Sequence, residues 1–102
     1  MKRIIVMMAL VLPGVSWAGG DVQAGQHKAS ACQACHGAAG KASVPLYPHL
    51  AGQNAAYLAH ALQAYKKGER NGGQAEVMKA FVAGLSEEDI DDLAAWYASL
   101  TP

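Results

Sequence analysis

Cys32-Gln33-Ala34-Cys35-His36 sets two thiols three positions apart and follows the second directly with an imidazole. This C-x-x-C-H spacing is the attachment sequence of a c-type haem. The thiols add to the two vinyl groups on one edge of the porphyrin, and the histidine supplies an axial nitrogen to the iron. One five-residue segment therefore provides both tether and ligand. A close cysteine pair can instead form a disulfide, structural or of the thioredoxin-like redox kind. Redox pairs of that kind sit at a strand-to-helix junction, and no convincing strand pattern occurs anywhere in this chain.

Upstream, Lys2 and Arg3 precede an apolar run from Ile4 to Leu12, Pro13 and Gly14 interrupt it, and Ser16-Trp17-Ala18 ends in small residues. This is the pattern of an export signal, with cleavage expected after Ala18. The run is far shorter than the roughly 18 residues needed to span a bilayer, so no stable membrane insertion is expected after leader removal. Residues 1–18 are thus assigned to a signal peptide and 19–102 to one domain in the periplasm, near the lower size limit for a self-sufficient core. A buried cofactor relieves that shortage. The formal charge of zero is a property of the precursor. Without Lys2 and Arg3, six basic residues face eight acidic ones, a net charge of minus two, and no basic face suits a nucleic acid.

The rest of the chain reads as helices. Asp21 is an N-cap for a helix from Val22 to Ala31, and the helix-weakening Gly25 within it points to close packing against another helix. Residues 37–52 carry Gly37, Gly40, Pro45 and Pro48 with little periodicity, an irregular loop whose Val44, Leu46, Tyr47 and Leu50 are available to face a flat ligand. Asn54 opens a helix with Tyr57, Leu58, Ala61, Leu62 and Tyr65 at helical spacing, closed by Lys66, Lys67 and Gly68. A short helix follows from Ala75 to Ala83. Ser86 and Asp89 then form a capping box for a last helix whose Ile90, Leu93, Ala94, Tyr97 and Leu100 make a broad apolar stripe. The acidic run from Glu87 to Asp92 reads as a solvated helix start rather than a docking patch.

A six-coordinate iron needs a second axial ligand opposite His36. Met1, Met7 and Met8 lie in the leader, which leaves Met78 as the leading candidate, with His27, His49 and His60 as rivals. An imidazole and a thioether together favour ferrous iron over bis-imidazole ligation and suit one-electron relay. With both positions taken by protein, no site remains for a substrate, so an electron carrier and not an enzyme is expected.

Together with Gly20 to Gly25, Pro48-His49-Leu50-Ala51-Gly52-Gln53 and Leu85-Ser86 leading to Leu93-Ala94-Ala95-Trp96-Tyr97, the haem motif makes the chain resemble the small bacterial class I cytochromes c, and one half of their two-haem members. The likeness covers essentially all of the mature chain. It implies an all-α cytochrome c fold, four to five short helices around one covalently attached haem c. It further implies that the first and last helices cross at Gly25 against Trp96 and Tyr97, that Met78 is the distal ligand, and that the Pro48 carbonyl accepts a hydrogen bond from His36. The residues expected to hold the cofactor are therefore Cys32, Cys35, His36, Pro48, Leu50 and Met78, with His36 and Met78 on the metal. The implied function is that of a monomeric periplasmic electron carrier, with periplasmic or membrane-bound redox enzymes as donor and acceptor. A dedicated cytochrome subunit of an oxidoreductase complex, or a haem-based sensor or peroxidase with a displaceable methionine, would use the same residues.

Overall fold

The computed structural model describes residues 19–102, so the leader assigned to residues 1–18 lies outside the described part. Five helices follow in order: α1 (Val22–Lys28), α2 (Ser30–His36), α3 (Ala55–Lys67), α4 (Ala75–Val82) and α5 (Glu87–Ser99). No strand occurs among the described residues, and none of their helices is long and apolar enough to cross a membrane.

Short polar side chains start three of these helices by satisfying amide groups that no helical carbonyl can reach. Asp21 accepts from the Ala24 N–H at 3.0 Å, and Asn54 accepts from that of Tyr57 at 3.1 Å. Ser86 and Asp89 close the reciprocal capping box, each bond 3.0 Å long. Gly68 ends α3 in the left-handed conformation, at φ 75°. The helix expected over Val22–Ala31 is in fact two. Ala29 breaks it in a turn (φ −80°, ψ −4°) and is wholly buried, so α2 starts a new direction and carries the cysteine motif on its own axis.

The last helix is the hub, packing against both α1 and α3, while α4 rests on α3. At the α1–α5 crossing, a Cβ added to Gly25 would stand 1.9 Å from the Asp92 carbonyl oxygen and 2.8 Å from the Trp96 Cβ. Two helix backbones approach that closely only where a side chain is missing. The contact expected with Trp96 is present, but the tightest neighbour is the Asp92 backbone. Tyr97 lies beyond it, in a cluster with Ala29, Leu58, Leu93 and Ala94.

The crossing is also locked by charge. Asp92, buried, accepts the Asp21 N–H at 2.7 Å and the Lys28 Nζ at 2.5 Å, and Lys28 reaches Asp89 at 2.8 Å. The Lys28 ammonium holds both carboxyls below the usual range, Asp89 at about 2, and the two carboxylates in turn raise the lysine. Carboxyls depressed in the folded state stabilise it above their unfolded value near 4, and that stability disappears as pH falls through the folded values. The lysine, raised, contributes fully below about 10.4 and loses its contribution only as pH rises beyond its folded value. Asp92→Asn is accordingly expected to lower the Tm at pH 7 by roughly 5–10 °C. The gap from the parent protein should narrow as pH drops from 5 toward 2, which melting curves across that range would check.

The candidate haem site

Cys32, Cys35 and His36 stand at i, i+3 and i+4 of α2, so all three project from one face of one short helix. That face borders a cavity of about 570 Å³, within the range of roughly 300–1,000 Å³ typical of small-molecule sites. Both thiols are free and half-buried. Burial pushes the Cys32 thiol above its ordinary value, whereas a reactive redox cysteine is held below it by nearby positive charge or a helix N-terminus. Cys32 therefore sits in the setting of a shielded thiol and not in that of an activated nucleophile.

The structure brings Pro48, Leu50 and Met78 to the walls of the same cavity, from the 37–54 loop and from α4. Backbone bonds pin that loop. The Gly40 carbonyl accepts from both Leu50 (2.8 Å) and Ala51 (3.0 Å), and the Gly52 N–H donates to the Tyr97 carbonyl at 2.9 Å, at the C-terminal end of α5. The course of the loop then places the Pro48 carbonyl 2.9 Å from His36 Nδ1. A carbonyl only accepts, so Nδ1 carries the hydrogen and Nε2 of the neutral ring is left with a bare lone pair. His36 is buried, and this backbone contact fixes the tautomer that ligation requires.

The same reasoning separates the rival histidines. His49 also borders the cavity, but its Nδ1 lies 2.8 Å from the Ala42 N–H. That nitrogen must accept, which places the hydrogen of the neutral ring on Nε2 and leaves no lone pair there for a metal. His27 and His60 are exposed and do not border the cavity. His49→Ala is therefore expected to leave the ligand-sensitive absorption bands unchanged, with His36→Ala abolishing them; a visible spectrum of each variant distinguishes the two.

Several walls were hard to foresee. Tyr57, Ala61, Leu62 and Tyr65 turn one face of α3 to the cavity, and Val77 and Phe81 do so from α4. Their signal in the sequence was an apolar stripe rich in aromatics, which reads equally well as ordinary core. The Tyr97 hydroxyl is buried with the Cys32 thiol as its polar neighbour and has no oxygen or nitrogen partner, so only a weak sulfur acceptor meets it. A flat, largely apolar group held by two sulfurs and one imidazole nitrogen fits this donor set.

Comparison with known proteins agrees with that fit. The family model described as Cytochrome c matches residues 22–101. Cytochrome c-554(548) of Halomonas halodenitrificans is 49% identical over 80 residues, which cover 78% of this chain and 96% of that one. Cytochrome c4 of Pseudomonas aeruginosa is 40% identical over 101 residues, 97% of this chain and 49% of its own length. The crystal structure of reduced recombinant cytochrome c4 from Pseudomonas stutzeri superposes with a TM-score of 0.71 at 38% identity, over 80% of this chain and 46% of that one. The chain thus spans about half the length of the cytochromes c4 it matches.

Proposed function

The chain belongs to the cytochrome c family, and we propose that it is an exported single-haem electron carrier that relays one electron at a time between redox enzymes of the periplasm or its bounding membrane. Electron transfer is the function its relatives support. The finer assignment rests chiefly on one observation: His36, one residue after Cys35, has Nδ1 engaged by the Pro48 carbonyl, so its other nitrogen is free at a cavity bordered by both thiols.

Bound there, a c-type haem supplies an iron that cycles between ferric and ferrous states. Cys32 and Cys35 would hold it covalently, and His36 would give the iron an imidazole nitrogen. Met78, on α4, borders the same cavity and would give the iron a thioether, a soft donor that favours the reduced metal. An iron held by both side chains would have no open position for a substrate, which fits a carrier better than a catalyst. Leu50, half-buried between cavity and core, would help exclude water from a ring bound there. The pattern of residues 1–18 supports export and cleavage after Ala18.

Intact mass and a denatured-state absorption spectrum of the exported protein test this reading together. The expected product begins at Gly19 and keeps one haem through denaturation. A colourless product from cells able to mature c-type haems would overturn the assignment.

A further inference from the structure

The charge around the cavity singles out Arg70. Among the described residues no aspartate or glutamate borders it, and Lys28 and Arg70 are the only lysine or arginine that do. Lys28 is already matched by Asp89 and Asp92. Arg70 takes part in no ion pair among the described residues; its guanidinium carbon instead lies 4.5 Å from the centre of the Tyr65 ring, itself a wall of the cavity. A cation stacked on an aromatic face keeps its planar fork oriented at low entropic cost while its N–H donors stay available. Gly68, Gly72 and Gly73, all at positive φ, turn the chain after α3 so that residues 70–74 run along the cavity and not away from it. The other ionisable groups on its walls are the two thiols, His36, His49 and four tyrosines.

A c-type haem carries two propionate carboxylates, and an otherwise carboxylate-free cavity with one unmatched guanidinium is charged to receive them. We infer that Arg70 is a positioning residue for the haem propionates, held ready by the Tyr65 ring, and that its charge sets part of the reduction potential and its pH dependence. This rests on the haem reading above. A guanidinium paired with a propionate offsets negative charge near the iron, which would otherwise favour the ferric state, and keeps that propionate ionised. The contact is charge-assisted, so the neutral substitution should alter the potential and the conservative one should largely preserve it.

The test is the reduction potential of purified holoprotein between pH 5 and 9 for Arg70→Gln, Arg70→Met, Arg70→Lys and Lys67→Gln. Arg70→Met keeps an apolar stem against Tyr65, so the outcome does not depend on one neutral substitution being tolerated. Both neutral variants should shift the ferrous–ferric equilibrium toward ferric by up to about tenfold, about 59 mV for one electron, and should gain a pH-dependent step absent from the parent. Arg70→Lys should stay close to the parent, and Lys67→Gln, an exposed cation off the cavity, should match it. Neutral variants with the parent's potential and pH profile would overturn the inference while leaving the haem reading intact. A parent protein without covalent haem would overturn both.

Discussion

Replacing both anchors, Cys32→Ser with Cys35→Ser, is expected to yield an exported chain that is colourless after denaturation and has lost most of its helicity. The physical reason is the distribution of apolar mass. Among the described residues the buried apolar side chains larger than alanine are five, Leu58, Val82, Ile90, Leu93 and Tyr97, and the other four of the nine buried hydrophobic residues are alanines. Leu46, Tyr57, Val77 and Phe81 meanwhile are exposed on the walls of the cavity and add little to that core. A single core in a domain of this size rarely supplies more than about 3–5 kcal/mol. The packing that would raise that figure is against the ring. Without thioethers the cofactor can still associate through His36, but an association open to dilution stabilises only as far as its concentration exceeds its Kd.

The measurement is circular dichroism of the parent and double variant, with an absorption spectrum after denaturation. The parent should keep its pigment and a cooperative melt. The double variant should show neither, and would be cleared rapidly by proteases in the cell. A double variant that melted cooperatively near the parent's Tm would show that the five helices are self-sufficient, contrary to the balance drawn from their burial.

Local physics explains which parts of this structure could be read in advance. Asn54 and Ser86 announce their helices because a side-chain oxygen and an amide three residues on are brought together by the helix geometry itself. The haem motif is legible because covalent chemistry dictates residue types at fixed spacing. The break at Ala29 has no such signal, as neither glycine nor proline marks it. It is imposed where α1 and α2 pack a small side chain into the cluster with Leu58, Leu93 and Tyr97. The Lys28–Asp89–Asp92 lock joins residues more than 60 positions apart, and the tautomers of His36 and His49 depend on a loop course set by the Gly40 carbonyl. These are tertiary facts, invisible to periodicity.

Met78→Ala should open the iron and lower its potential, the second largest effect expected of this protein. Met78 is the only methionine after residue 8, it borders the cavity from α4, and it is half-buried there. Loss of the thioether removes the soft donor that favours ferrous iron and admits water, a harder ligand that favours ferric. Axial ligands span about 0.8 V in haem proteins, so a fall on the order of 0.1 V or more is expected. The ferrous variant should also bind carbon monoxide rapidly where the parent does not. Met78→His is the informative companion: a nitrogen donor should close the site again, restoring resistance to carbon monoxide while leaving the potential low. If Met78→Ala instead keeps the parent's spectrum and potential, the distal ligand is another group and the carrier reading loses its reason for a closed iron. Rapid binding of carbon monoxide by the parent itself would point to a sensor or peroxidase, because an iron that exchanges its ligand readily is built to react rather than to relay.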